Sequence, residues 1–301
     1  VSDTQTMTRA FPDVLKADAA RIAQRSSFLK VPNRPLTDAM HYALEGGKML
    51  RGFLVLESSR LHDVPEAAAL QAALAIECLH GYSLIHDDLP CMDDDDMRRG
   101  RPTVHRKWDE ATAVLAGDAL QTLAFRLLTK PEIADLEAPV KYAASHRLTE
   151  GLAKASGDAG MVLGQMLDME AEAADAPLSL REIERLQSLK TGALLLWSAT
   201  AGPVMAGAET GSLHKYGQKL GLAFQIWDDV LDVEGDAAEV GKAVGKDAGR
   251  GKATFVSHLG LDGAKRRAGE IVTEACDALS VYGSKAECLR QAARFVISRR
   301  N

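Results

Sequence analysis

Apolar residues recur at helical spacing almost from one end of this chain to the other. Twice that pattern runs straight into a dense group of carboxylates: Asp87-Asp88 followed by Asp93-Asp94-Asp95-Asp96, and Asp228-Asp229 with Asp232. Two carboxylates ~4 Å apart repel by about 4 kcal/mol at an effective dielectric near 20. Something positive therefore belongs between them, and the simplest choice is a divalent metal held between two helices.

The periodicity predicts helices at roughly 12–28, 36–45, 48–62, 66–88, 108–129, 138–157, 160–174, 179–207, 210–233, 262–280 and 285–299. Pro65 suits a first helical turn, and Pro131, Pro139 and Pro177 mark other junctions. Ser179-Leu-Arg-Glu182 has the form of a capping box. Aromatic residues make up only 5% of the chain, and no β-alternating run stands between turn signals, so the expected class is all-α. No fixed-period repeat and no compositional linker divides the sequence. Residues 1–301 are expected to form a single domain, with a loop-rich, charged passage from 234 to 252.

The net charge of −6 argues against a nucleic-acid partner, which would call for a basic face. Cys78, Cys91, Cys276 and Cys288 show no CxxC spacing and read as free, inert thiols in a reducing compartment. The first residues, with Asp3 and Arg9, hold no apolar signal core. Gly192 to Gly207 is apolar but interrupted by Ser198, Thr200 and Gly202-Pro203, which suits a buried core helix better than a membrane span. These features point to a cytoplasmic protein without a transmembrane segment.

In Phe224-Gln225-Ile226-Trp227-Asp228-Asp229-Val230-Leu231-Asp232, residues 228 and 232 share one helical face, with Asp229 turned about 100° away but within reach of a metal's outer shell. The first cluster cannot repeat that geometry. Pro90 breaks the helix, so Asp87 is expected at a helix end, with Leu89 to Met92 bulging until Asp93 swings back. Arg98, Arg99 and Arg101 follow at once, an arrangement that suits a polyphosphate held by metal on one side and guanidinium on the other. Further cations sit beside glycines at Gly46-Gly47-Lys48 with Arg51, at Lys190-Thr191-Gly192, and at Lys242, Lys246 and Lys252. None has the spacing of a P-loop.

Taken in order, Gly46 to Arg51, His80 through Asp93 to Thr103, Lys190-Thr191 and Phe224 to Asp232 resemble the short-chain trans-prenyl diphosphate synthases along nearly the whole chain. The first cluster has the DDxxxxD form and the second DDxxD. The resemblance implies an all-α bundle around a deep central cavity, a homodimer, and Mg²⁺-dependent condensation of isopentenyl diphosphate with an allylic diphosphate. It further implies about three Mg²⁺ ions held by Asp87, Asp93 and Asp228, with Asp88, Asp229 and Asp232 in the wider metal shell. Arg98, Lys190, Lys242 and Lys252 match residues that grip the allylic diphosphate. Lys48, Arg51, His80 and Arg99 match those that bind isopentenyl diphosphate. Lys190, Thr191 and Gln225 match the catalytic positions, where Thr191 and Gln225 turn oxygen dipoles toward the allylic cation. Gly164-Gln165 with Asp168 lies in a similar segment without an assigned role, and His86 reads as structural.

Each buried five-carbon unit is worth ~4 kcal/mol at ~0.8 kcal/mol per carbon group, so an open apolar cavity favours continued elongation and a steric block has to end it. Tyr82 and Ser83 lie about one helical turn before Asp87. A ring at the first of these positions resembles the bacterial farnesyl type, which stops at fifteen carbons. The alternatives are a geranylgeranyl product, a terpene cyclase, or a non-catalytic subunit of such a synthase. Lys48, Arg51 and His80 speak against a cyclase, which needs no second diphosphate site, and two intact acidic clusters speak against a subunit without activity.

Overall fold

The apolar run expected at 66–88 becomes a helix, Glu66–Asp87, buried along most of its length. The structure, a computed structural model, describes residues 10–29, 31, 34–129, 140–174, 176–234 and 253–299. Its first half runs through α1 (Phe11–Arg25), α2 (Pro35–Leu44), α3 (Leu50–Arg60) and α4 (Glu66–Asp87). A two-stranded hairpin, β1 (Met97–Arg98) and β2 (Arg101–Pro102), then leads into α5 (Val104–Lys107) and α6 (Glu110–Leu127). The second half holds α7 (Val140–Ser156), α8 (Met161–Glu172), α9 (Leu180–Gln187), α10 (Ala193–Ala206), α11 (Gly211–Glu234), α12 (Phe255–Leu259), α13 (Leu261–Ala278) and α14 (Glu287–Val296).

Two apolar clusters stabilise the bundle. In one, Leu74, Ile76 and Leu79 of α4 meet Leu120 and Leu127 of α6 and Leu148 of α7. In the other, Tyr216 and Leu220 of α11 pack with Ile271 of α13 and Leu289 of α14. Helices α3 and α10 serve both: Val55 and Leu194 face the first cluster, while Phe53 and Leu195 face the second. Both helices are buried over most of their residues and form the partition between the clusters. Among the described residues, α4 alone is long and apolar enough to cross a membrane, and 78% of its apolar window is buried inside the bundle.

The helix expected at 179–207 is interrupted. The capping box is present, with Glu182 accepting from the Ser179 N–H at 2.8 Å. After α9, however, residues Ser188–Gly192 form a π turn before α10 begins. The predicted 285–299 helix is likewise shortened, because a 3₁₀ segment, Ser280–Ala286, precedes α14 and Gly283 leaves helical geometry. The hairpin, α5 and α12 carry no periodicity long enough to predict. Pro131, Pro139 and the 235–252 part of the charged passage lie outside the described residues.

Candidate active site

A cavity of about 1190 Å³ is lined by the end of α4, the β1–β2 hairpin, α8, the π turn and α11. Helix α4 stops where Pro90 cannot continue it. The chain then folds back: the Asp93 N–H donates to the Asp87 carbonyl at 2.8 Å, and the Asp94 N–H to the Leu89 carbonyl at 3.2 Å. This loop brings Asp87 and Asp93 to one wall of the cavity. Burial pushes the Asp87 carboxyl up to about 6 against the pull of Lys190, and the negative charge of Asp93 adds to the rise.

Asp88 is the residue expected in the wider metal shell beside Asp87. It is 3% exposed and absent from the cavity lining, because one helical step carries it about 100° from Asp87. There it accepts from Arg98 Nε at 2.6 Å. Arg98 still lines the cavity, so its guanidinium bridges this buried carboxylate and the open space. Arg99 and Gly100 both have positive φ, 52° and 71°, as a two-residue I′ hairpin turn requires. A left-handed conformation costs a non-glycine residue roughly 1–2 kcal/mol. Anchors to α2 offset it: Arg101 donates to the Tyr42 carbonyl at 2.7 Å, and Arg99 to the Glu45 carbonyl at 3.2 Å.

On the facing wall, Asp228 and Asp232 line the cavity from one side of α11. Asp228 accepts from Arg299 Nη2 at 2.6 Å, and that guanidinium lies 3.8 Å over the Phe224 ring. The Arg299 carbonyl in turn accepts from Trp227 Nε1 at 3.1 Å. Asp229, expected in the wider metal shell, reaches the lining, and its Oδ2 accepts the Phe255 N–H at 2.6 Å and so caps the start of α12.

The π turn supplies the third side. Its widened backbone presents Lys190 and Thr191 to the cavity, and Lys190 Nζ donates to Asp168 on α8 at 2.6 Å. Helix α8 comes close because residue 164 is glycine: a Cβ there would stand 2.2 Å from the Lys190 nitrogen. Gln165 faces the same space with a buried Oε1 that has no hydrogen-bond partner. Gln225 lies 3.5 Å from Asp228 through its amide nitrogen.

Of the expected second diphosphate site, Arg51, His80 and Arg99 line the cavity. Burial and the neighbouring Arg51, Arg99 and Arg98 hold the His80 ring well below its ordinary range, so it is neutral. Lys48 lies outside the lining, at an exposed position with its Nζ 5.9 Å from the Phe295 ring. Tyr82 and Ser83 line the cavity before the acidic wall. The Tyr82 ring packs edge-on against His86 at 5.2 Å, while the Ser83 hydroxyl donates to its own helix at the His80 carbonyl. Lys242 and Lys252 lie outside the described residues. None of the four cysteines is in a disulfide.

No group of three His, Cys, Asp or Glu side chains is preassembled for a metal among the described residues. That suits Mg²⁺, which takes one or two carboxylates and completes its shell with water and substrate phosphate. The paired Asp87 and Asp93, the facing Asp228 and the unsatisfied Gln165 oxygen form an all-oxygen donor set of this kind.

Residues 33–290 match the family model for polyprenyl synthetase. The chain belongs to that family. It is a prenyltransferase by that membership, and its relatives agree. The farnesyl diphosphate synthase of Escherichia coli is 41% identical over 96% of this chain and 99% of its own length. A solved FPP/GFPP synthase from Zymomonas mobilis superposes with a TM-score of 0.85 at 42% identity, covering 95% of this chain and 98% of that one. A geranyltransferase from Helicobacter pylori, solved in complex with magnesium and isoprenyl diphosphate, gives a TM-score of 0.80 at 34% identity over 98% and 100% of the two chains. The all-α isoprenoid synthase fold and the magnesium chemistry of the family are thus shared by proteins alike along their full length.

Sequence reasoning missed Arg299, and left Gln165 and Asp168 without roles. Asp168 lies three residues beyond Gln165 on the helix that Gly164 lets in, so the glycine was the available signal. Arg299 offered none, because its partner is 71 residues away.

Proposed function

We propose that this prenyltransferase makes farnesyl diphosphate, condensing isopentenyl diphosphate first with dimethylallyl and then with geranyl diphosphate. The observation that carries this reading is the division of one cavity into facing acidic walls and a separate basic patch at Arg51, His80 and Arg99. Two diphosphates need two such places, whereas a cyclase needs only one. Asp87, Asp93 and Asp228 hold about three Mg²⁺ ions, with Asp232 beside them. When bound, magnesium neutralises charge developing on the departing diphosphate. Arg98 and Lys190 grip that same group, aided by Lys242 and Lys252.

Lys190 is poised for this by Asp168, which holds its ammonium at 2.6 Å until a phosphate competes for it. Thr191 on the π turn and Gln225 on α11 both line the cavity, and in this reading their oxygen dipoles stabilise positive charge on the allylic carbon. Arg51, Arg99 and neutral His80, joined by Lys48 at the rim, fix the diphosphate of isopentenyl diphosphate so that its double bond meets the cation. The departing diphosphate takes the final proton, and no Glu or His of the cavity is needed as a dedicated base. Tyr82 ends growth at fifteen carbons, its ring braced by His86. A homodimer belongs to the same reading: Val114 and Leu115 of α6 are 41% and 58% exposed, and a second copy would cover them.

The test is incubation with Mg²⁺, isopentenyl diphosphate and each allylic diphosphate, with product length read by chromatography. Farnesyl diphosphate is the expected product, and Tyr82→Ala is expected to give longer chains. A predominant twenty-carbon product from the unaltered protein would favour the geranylgeranyl alternative. An unchanged distribution in Tyr82→Ala would remove that residue from the block.

A further inference from the structure

Helix α3 begins without a cap of its own. The residue before it, Met49, is left-handed at φ 49° and offers no side-chain acceptor to the free N–H groups of the first turn. The acceptor comes from another helix. Glu77 of α4, 6% exposed and outside the cavity lining, accepts the Gly52 N–H at 2.7 Å and also the N–H of Arg51. Glycine at 52 leaves room for this approach, since a Cβ there would lie 2.5 Å from the end of the Ile22 side chain and 3.2 Å from the Glu77 side chain.

The residues that start this helix are the basic ones. Arg51 is in its first turn, Lys48 just precedes it, and Arg99 comes within electrostatic range of both Arg51 and Glu77. His80 sits one turn along α4 from Glu77, on the same face. Arg51 Nε is buried with no hydrogen-bond partner. Two guanidinium groups, one with an unsatisfied donor, thus line the cavity, and behind them lies a buried carboxylate outside the lining. Burial pushes the Glu77 carboxyl above its ordinary range, and the two N–H groups and the two arginines pull it back toward the charged form.

We infer that Glu77 is a positioning residue for the isopentenyl diphosphate site: it caps α3 from α4 and supplies the countercharge that keeps Arg51 and Arg99 converged before the anion arrives. The inference rests on the reading of Arg51, His80 and Arg99 as that site.

Glu77→Gln separates this role from two simpler ones, because the amide oxygen can still accept from Gly52 while the charge is gone. If Glu77 positions the arginines, KM for isopentenyl diphosphate rises about tenfold, as misplacement near the chemistry commonly costs. KM for geranyl diphosphate and kcat then stay within about twofold. If Glu77 acted only as a nearby negative charge, its removal would make the site more positive and that KM would fall. If it acted only in folding, all three constants would move together with the melting temperature. Either of those results, or an unchanged KM, overturns the inference. Arg51→Ala is measured in parallel. A normal KM for isopentenyl diphosphate in that variant would overturn the site reading itself, and the inference with it. Where Arg51→Ala does raise KM, adding Glu77→Gln to it is expected to raise KM little further, and a full additional rise overturns the action through Arg51. Should Glu77→Gln give no folded protein, Glu77→Asp keeps the charge but withdraws it by one methylene. A several-fold rise confined to KM for isopentenyl diphosphate supports the inference, and no change overturns it.

Discussion

Asp87 and Asp228 face the same cavity on different footings. Asp87 is held locally, at the end of α4, by a loop that returns Asp93 to the Asp87 carbonyl. It is half-buried, it shares its wall with another carboxylate, and its carboxyl is raised to about 6. Asp228 lies within α11 with 40% of its side chain exposed, and its charge is met by Arg299 from the far end of the described chain. On one wall burial and a neighbouring carboxylate outweigh the pull of Lys190 and Arg98, and on the other a guanidinium is hydrogen-bonded to the carboxylate. Similar acidic motifs can therefore differ in what the metal-free protein has already done with them. The first stores a penalty that a cation relieves. The second holds an internal competitor that a cation has to displace.

The largest expected effect tests whether both walls serve one reaction. With saturating Mg²⁺, Asp87→Asn and Asp228→Asn should each lower kcat by about 10²–10³, the scale for losing one element of charge stabilisation. Steady-state assays check this, and an Asp228→Asn enzyme retaining a tenth of the activity would separate the walls functionally. Stability should then split them by sign. Without metal at pH 7, Asp87→Asn should raise stability, and with it the melting temperature, by at most about 3 kcal/mol for a carboxyl held this far above its ordinary value. Asp228→Asn should lower stability by about 0.5–1 kcal/mol, as expected for a partly exposed ion pair. Calorimetry on the two metal-free variants makes the comparison.

A pH series sharpens it further. The folded value for Asp87, about 6, lies above the ordinary carboxylate value of 3.8. The folded protein therefore holds this proton more tightly than the unfolded chain. That contribution to stability is complete below about pH 4 and is lost as pH rises through about 6. Asp87→Asn should flatten this part of the profile, while Asp228→Asn should leave it in place. Mg²⁺ binding should strengthen over the same window as the carboxyl deprotonates. The smallest effect belongs to Arg299→Gln. Freeing Asp228 should lower the Mg²⁺ concentration for half-maximal activity by about threefold, and losing the pair should cost about 0.5–1 kcal/mol of stability, as in Asp228→Asn. An unchanged metal requirement would show that the guanidinium does not compete.

The helices and acidic walls were legible because each is written in local spacing. Periodicity set α4 and α11, Pro90 announced the break after Asp88, and Ser179 with Glu182 marked the start of α9. What escaped depends on pairs remote in sequence. Arg299 reaches back to Asp228, Lys190 to Asp168, and the Gly52 N–H to Glu77, and none of these partners is visible from its own neighbourhood. Asp88 and Asp229 were placed near metal because they adjoin the right residues. In the structure, one helical step takes the first to Arg98, and the second gives an oxygen to the Phe255 N–H. The hairpin was too short to show a period, although Arg99-Gly100 carries the turn chemistry that produces it.

The π turn between α9 and α10 works as a phase shift. One surplus residue in a helix rotates everything after it by about 100°, so the two flanking helices obey different registers of the same 3.6-residue repeat. The core sees Ile183 and Leu186 on one side of the shift and Leu194, Leu195 and Trp197 on the other, all buried. A sequence shortened by one residue between Ser188 and Gly192 could form a more regular rod with stronger backbone bonding. To keep both apolar stripes inward, that rod would have to twist Lys190 and Thr191 out of the cavity. The irregularity is what lets a single helical segment be core along its length and chemistry at its middle.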